Sequence, residues 1–386
     1  MNVQEKIKQM ETKRNHNHPL LEYRQWLTEA MPQHTRLQKI QIAGTNGKGS
    51  TARWLSDLLM ANGWKVGMFT SPHLIEHTER IRVNRQPIPL EDWERIYDTY
   101  ADFFEEMELT MFEMDCWMAI AYFLEQGVDI ALMEVGLGGR LDATTALDYQ
   151  CTLITNIGMD HMEVLGDSPE QIAFEKAGIF KPGVIALTTE KDPACQKVME
   201  LVAGYIQAPL GFVEMPTTEK DGVITFVWND QTFTLTQPAY QMDNLALALE
   251  CTQVLGIDID GRTVQPVIDS FSVPGRFTVL RQQPLILVDG AHNPDGIRAL
   301  VNSVPGFAGD VYFCAMKEKE VEEMLACLQP LHAKIHWVQM NNERACAPVG
   351  GLPVIAQEDL AETLKQSDRD SLVCGSIYLV GDLMAA

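Results

Sequence analysis

Residues 42–51 read IAGTNGKGST, a short apolar run that breaks into a glycine-rich loop with one lysine and then two hydroxyls. Residues 37–43 have the look of a buried strand. Residues 51–62 place Trp54, Leu55, Leu58 and Leu59 on one helical face, and Gly63 closes it. A strand, a glycine turn and a helix start commit the chain to an α/β arrangement with an anion cradle. Backbone N–H groups and the positive end of the helix dipole converge at that turn. Lys48 adds a point charge suited to β- and γ-phosphates, and Ser50 or Thr51 can ligate Mg²⁺. The loop is not a strict Walker A, since Ile42 stands six residues before Lys48 and Gly49 intervenes before Ser50. It reads as a nucleotide site.

The rest of the chain repeats the alternation. Strands are expected at 65–70, 129–135, 152–157 and 183–188, with helices at 90–104 and 113–125. This is the pattern of βαβ units and a mainly parallel sheet with helices on both faces. Residues 211–236 break the rhythm: 223–228 and 232–236 flank Asn229-Asp230, a hairpin signal. A helix resumes at 244–255. After Pro274-Gly275 a second series begins, with strands at 284–288, 311–315, 334–338 and 371–378. A chain of 386 residues exceeds one ordinary core. The boundary is placed near 272–277, giving an ATP-binding domain over 1–273 and a smaller Rossmann-like α/β domain over 274–386.

A net charge of −23 argues against nucleic-acid or membrane-surface partners, so cations for a nucleotide must be concentrated locally. Lys48, Arg140, Lys176 and Arg276 are the candidates. The eight scattered cysteines read as reduced thiols of a cytoplasmic protein, and no eighteen apolar residues run together. The first residues lack the apolar core of a signal peptide. His16 and His18 read as a solvated, mobile start rather than a metal tract.

Several strand ends carry chemistry. Glu134, closing the run 129–135, stands where a carboxylate ligates nucleotide-bound Mg²⁺. The following VGLGGRLDAT imitates a dinucleotide fingerprint, but Leu141 occupies the third glycine position and that reading is rejected. Arg140 and Asp142 either face the same crevice or form a salt-bridged turn. Asp160 and His161 follow another strand, with His161 a candidate second-metal ligand. Lys176, in EKAG, pairs with an acid or, after reaction with CO₂, becomes a carbamate oxygen ligand. Ser71-Pro72-His73 completes a Mg²⁺ shell or is an ordinary turn. Residues 289–294, DGAHNP, follow a strand end as catalytic loops do. A nucleophilic triad fits poorly, since no serine sits in a G-x-S-x-G elbow and no cysteine has a basic partner nearby in sequence.

Together these segments resemble folylpolyglutamate synthase, including the bifunctional dihydrofolate synthase form, in the Mur ligase superfamily. The matching pieces are AGTNGKGST, TSPHL with ERIRVN, Phe112-Glu113, EVGLGGRLDAT, DHMEVLGD, EKAGIFKPG, PGRF, DGAHNP and Gly375-Ser376. The resemblance implies ATP bound by Asn46, Gly47, Lys48, Gly49, Ser50, Asn244, Arg276 and Asp289. It implies two Mg²⁺ ions held by Ser71, Glu134, His161 and a carbamylated Lys176, and it leaves room for K⁺. A folate-type substrate would lie at Thr110, Phe112, Glu113, Leu141, Asp142 and Ala143. Lys48, Lys176, Asp289 and His292 would serve catalysis, with His292 and Asn293 lining one face. The partners implied are a folate and L-glutamate, and the enzyme would be a monomer.

The chain departs from the pattern before the first strand, where it reads RQWLTEAMPQHTRLQK in place of PGLERI and LGNP segments. Tyr240 replaces a histidine, Thr145 an asparagine, and KEKE at 317–320 stands in for KDKD. The implied reaction is amide ligation: a carboxylate attacks the γ-phosphate, and L-glutamate then attacks the acyl phosphate. The competing readings are a Mur-type ligase for a non-folate carboxylate and a P-loop regulatory ATPase.

Overall fold

The glycine-rich loop springs from the centre of an eight-stranded sheet. Its strands are β1 (Gln38–Ala43), β2 (Val66–Phe69), β3 (Ile81–Val83), β4 (Gln86–Pro87), β5 (Ile130–Glu134), β6 (Cys151–Ile154), β7 (Ile185–Thr188) and β8 (Leu210–Phe212). They lie in the order β4-β3-β2-β5-β1-β6-β7-β8, parallel except for the antiparallel edge β3–β4. β1 is flanked by β5 and β6, with Ile42 level with Glu134, so the ends of these strands sit side by side. Helices cover both faces, which is why β5 is buried along its whole length and reads as a continuous apolar run. The computed structural model describes residues 2–13 and 18–386. Its contacts divide it into one unit of Met1–Ile157, Leu165–Gln237 and Gln241–Phe271, and a second of Gly158–Val164, Pro238–Tyr240 and Ser272–Ala386.

The first unit also holds an antiparallel sheet of β9 (Thr217–Lys220), β10 (Val223–Trp228) and β11 (Gln231–Leu235). Asn229 and Asp230 join β10 to β11 with φ of 47° and 60°, the left-handed pair that the hairpin signal predicts. The second unit is built on β12 (Thr278–Gln282), β13 (Leu285–Val288), β14 (Asp310–Phe313), β15 (Lys334–Gln339), β16 (Val354–Ala356) and β17 (Ser371–Cys374). Their order is β12-β13-β17-β14-β15-β16, with only β12 antiparallel to its neighbour.

Three expectations change. The strand read over 371–378 stops at Cys374; Gly375 turns at φ 98° and Ser376 caps a helix, Ile377–Ala385. An apolar run of that length suits either state, and the cap decides it. The helix after the glycine loop begins at Lys48, three residues earlier than read, so Lys48 and Ser50 belong to its first turn. Asn244 is not at a helix start, because that helix runs from Tyr240 to Val254.

Two N-terminal helices, Val3–Glu11 and Leu20–Ala30, are legible only afterwards. They pack Ile7, Met10, Tyr23 and Leu27 into the core built by Trp93, Phe104 and Trp117, each such side chain contributing about 1.5–3 kcal/mol by burial. His16 lies outside the described residues. His18 is no solvated tract: its backbone N–H donates to Glu113 (2.6 Å) and its ring meets Trp26 edge-on. Among the described residues no helix is long and apolar enough to cross a membrane.

Helix Val3–Glu11 is clasped through His77. Its Nδ1 meets Glu11 at 3.2 Å and its Nε2 meets Asp115 at 2.7 Å, while Arg80 donates to His73 Nδ1 (3.0 Å). Glu11, His73 and His77 have the composition of a metal site. Both His77 nitrogens, however, already face carboxylates, so an imidazolium fills the role of a cation there. Burial opposes that charge, yet Asp115 and Glu11 outweigh it and raise His77 to about 9 from 6.5. A raised pKa adds stability below about pH 6.5 that is lost as pH climbs through about 9, worth about 3 kcal/mol in full. His77→Gln is expected to flatten that part of the pH dependence in urea unfolding. Equal slopes in wild type and variant would remove the clasp.

Candidate functional site

At the C-terminal edge of the eight-stranded sheet, the loops after β1, β2 and β5 open beside one another, as strand order requires in a parallel sheet. Gly47 adopts φ 83° ahead of helix Lys48–Ala61, and no side chain caps that helix. Its first-turn N–H groups therefore meet the requirements of an anion site. The loop is braced by β6: Asn46 N–H donates to Asn156 Oδ1 (2.9 Å) and Thr155 Oγ1 donates to Asn46 O (2.5 Å). Lys48 folds back along the loop, its Nζ donating to Gly44 O (3.0 Å) and Thr45 O (3.3 Å).

A Cβ on Gly47 would stand 2.3 Å from Asn244 Oδ1. Asn244 cannot yield easily, since it is buried, accepts from Thr51 Oγ1 (3.3 Å) and donates to Gln241 (3.1 Å). Gly47→Ala, strained in backbone and packing alike, is expected to cost about 2–4 kcal/mol in denaturant unfolding and to raise the KM for ATP. Unchanged stability would contradict this packing. Thr51 is fully buried with its hydroxyl turned to Asn244, while the buried Ser50 hydroxyl receives Gln241 Nε2 at 3.5 Å.

Ser71 and Glu134 come together as expected. Ser71 N–H donates to Glu134 Oε2 (3.3 Å), and that oxygen lies 3.5 Å from where a Cβ on Gly49 would be. Glu134 is 4% exposed. A buried carboxylate beside a serine and a phosphate loop is a hard-oxygen donor set, which fits Mg²⁺ or Mn²⁺. Lys176, equally buried, reaches the same place: its Nζ donates to Gly44 O at 3.0 Å. One carbonyl thus receives two ammonium groups, Lys48 and Lys176.

The residues read as substrate-binding divide. Thr110 caps helix Met111–Glu125 in a reciprocal capping box with Glu113, whose carboxylate also receives His18. Glu113 is fully buried and organises structure. Phe112 packs against Phe69 (5.3 Å between rings) and close to Gly136. Asp142 is buried; burial raises its pKa, and it accepts from the N–H groups of Gly136, Leu137 and Thr144. It shapes the loop on which Leu141 is exposed and Ala143 is buried. Arg140 takes the plainer of its two readings, an exposed pair with Glu175 (2.8 Å).

The remaining expected residues gather in the second unit. Asp289, after β13, accepts from Phe277 N–H and Ala291 N–H (2.7 Å each). Burial raises its pKa against the pull of Arg276. Gly290 N–H donates to Gly275 O (2.8 Å), tying this loop to the turn that carries Arg276. His292 Nδ1 meets Gly290 O (2.8 Å); burial, then the Lys319 and Arg276 cations, push its pKa to about 4. His161, at φ 53° and exposed, also lies in this unit, with Nε2 3.9 Å from Asp160.

Asp160 and Lys319 are the functional candidates that sequence reasoning named, in DHMEVLGD and KEKE, without giving either a role. Lys319 Nζ lies 2.5 Å from Asp160 Oδ1, with both side chains under one tenth exposed. Burial opposes the charge on Asp160, but Lys319 holds the carboxyl well below its usual range. Position was the available signal, because KEKE follows the end of β14 as the other loops follow theirs.

The chain is similar to known proteins in both sequence and fold. The Mur ligase middle domain matches residues 42–244 and the Mur ligase glutamate ligase domain matches residues 275–374. A dihydrofolate synthase/folylpolyglutamate synthase of Buchnera aphidicola is 33% identical over 302 residues, 75% of this chain and 70% of that protein. The bifunctional Yersinia pestis enzyme, solved with AMPPNP and a Mn ion, superposes with TM-score 0.89 at 28% identity, covering 100% of this chain and 98% of that one. E. coli FolC in complex with DHPP and ADP gives TM-score 0.89 at 28% identity over 100% and 97%.

Proposed function

The chain belongs to the Mur ligase family, in its dihydrofolate synthase/folylpolyglutamate synthase branch, and we propose that it is an ATP-dependent ligase joining L-glutamate to the carboxylate of a folate. The observation that carries this reading is the meeting of Lys48, Lys176, Ser71 and Glu134 at one edge of the sheet.

A carboxylate is a poor acyl electrophile because its oxygen is a poor leaving group. Phosphoryl transfer from ATP converts it to an acyl phosphate, and amine attack then releases phosphate. Lys48 and the first-turn N–H groups hold the phosphates, so the protein contributes mainly position and charge. A divalent metal held by Ser71 and Glu134 would neutralise charge on the transferring phosphoryl group, and His161 is the ligand proposed for a second ion. Carbamylation of Lys176 would replace a like-charge pair with an opposite-charge pair and supply another oxygen ligand. Arg276 and Asp289 serve ATP from the second domain, with the division at 273/274. Phe112 and Leu141 contact the folate, Thr110 and Glu113 fixing the former and Asp142 and Ala143 the latter. We place the reaction in the cytoplasm, on a monomer.

The test is glutamate-dependent ADP release from MgATP with dihydropteroate, tetrahydrofolate and monoglutamylated folate offered in turn. Turnover with the folates alone gives a polyglutamylating ligase; turnover with dihydropteroate as well gives the bifunctional form. Silence with all three while ATP still binds would overturn the folate reading in favour of another carboxylate.

A further inference from the structure

This inference rests on the nucleotide site of the ligase reading and concerns what fixes its choice of base. Four buried polar side chains stand in file behind the phosphate loop. Trp54 Nε1 donates to Gln241 Oε1 (3.1 Å), Asn244 Nδ2 donates to the same oxygen (3.1 Å), and Thr51 Oγ1 donates to Asn244 Oδ1 (3.3 Å). Gln241 Nε2 reaches sideways to Ser50 Oγ at 3.5 Å. Trp54 lies face to face with Phe271, ring centres 3.3 Å apart and planes 5° from parallel. All these residues belong to the first unit.

Every bond in the file but one has a mirror version. With both amides turned through 180° and both hydroxyls rotated, Gln241 Nε2 donates to Asn244 Oδ1, Ser50 donates to Gln241, and Asn244 Nδ2 donates to Thr51. The indole is different, because it only donates. The reversed file sets its buried N–H against Gln241 Nε2, donor against donor. A buried donor left without an acceptor costs enough to keep that state almost empty.

Asn244 Oδ1 lies against the phosphate loop, 2.3 Å from where a Cβ on Gly47 would stand. It has two lone pairs, and Thr51 takes one. The two common purines differ at position 6, where adenine carries an amino donor and guanine a carbonyl acceptor. We infer that Trp54 is a positioning residue for base selection. Its indole N–H, acting through Gln241, keeps Asn244 Oδ1 rather than Nδ2 toward the nucleotide and so favours adenine. In the reversed file an N–H takes that place and suits guanine.

Trp54→Phe keeps a ring on Phe271 and deletes the N–H. Both senses of the file are then open, and each nucleotide selects the one that suits it. The Kd for MgAMPPNP is expected to rise about twofold, the cost of choosing one state of two. The Kd for MgGMPPNP is expected to fall about tenfold, and isothermal titration calorimetry reads both. A merely structural role would weaken the two together, since they share a triphosphate. Adding Gln241→Glu restores the lock: a carboxylate accepts on either oxygen, so Asn244 must present Nδ2 to it. The ratio of the two Kd values should then return to that of wild type. Gln241→Met, which cuts Trp54 off from Asn244, should also tighten GMPPNP binding and serves if Trp54→Phe fails to fold. Equal weakening of both analogues, or a wild type that binds both alike, would overturn the assignment. The stated shift in preference without glutamate-dependent ADP release would support it and remove the ligase reading.

Discussion

Lys48→Ala is expected to reduce glutamate-dependent ADP release by about 10³-fold while leaving the fold intact. The lysine sits in the first turn of its helix and is only half-buried, so its loss opens no core cavity. What it loses is a charge held in place. Nζ is pinned by two loop carbonyls, Gly44 O and Thr45 O, and so needs little reorganisation to meet a phosphate. A preorganised cation in a partly dried site stabilises developing charge far better than one in water. Lys48→Arg should not restore the rate, because a forked planar guanidinium cannot occupy the position of a compact ammonium. Thermal melting should separate this variant from Gly47→Ala, which is expected to lose stability as well. A Lys48→Ala enzyme with wild-type kcat/KM for ATP would sink the phosphate assignment.

The second large effect concerns Lys176. Lys176→Ala should cost about 10²–10³-fold in kcat, and acetate or formate should return part of that loss. The structure places Lys176 Nζ on the same carbonyl as Lys48 Nζ, each at 3.0 Å. Two ammonium groups on one acceptor, that of Lys176 buried, repel one another, whereas a carbamate on Lys176 would attract Lys48. A small carboxylate diffusing into the space left by alanine mimics that carbamate, and it has no reason to help if the native group is an ammonium. ¹³C-bicarbonate labelling supplies the direct check: a carbamate resonance in wild type, absent from Lys176→Ala. Rescue by an added amine, with no carbamate signal, would show that Lys176 acts as a cation.

Much of the frame could be read before folding. The order of strands and helices, the hairpin at Asn229-Asp230 and the loop at 44–50 all rest on contacts between residues close in sequence. Apolar periodicity and glycine placement report such contacts directly. The loop after β5 was legible as a functional strand end for the same reason. Its inner detail was not: Asp142 turned out to bind its own loop's N–H groups, and Glu113 to cap a helix and hold His18. A buried carboxylate looks the same in sequence whether it meets a ligand or a backbone.

By itself, then, the sequence determined an α/β chain with a phosphate-binding turn, its carboxylate at a strand end, and membership in a ligase family. Only the tertiary structure decided which side chains share an environment. It brought Lys48 and Lys176 to one carbonyl, clasped Glu11 through His77 to Asp115, and set Lys319 against Asp160 across 159 residues of chain. The reason is physical. Backbone preference and periodicity are local and leave a repeating trace, whereas an ion pair between distant loops depends on strand order, and strand order leaves no period in the chain.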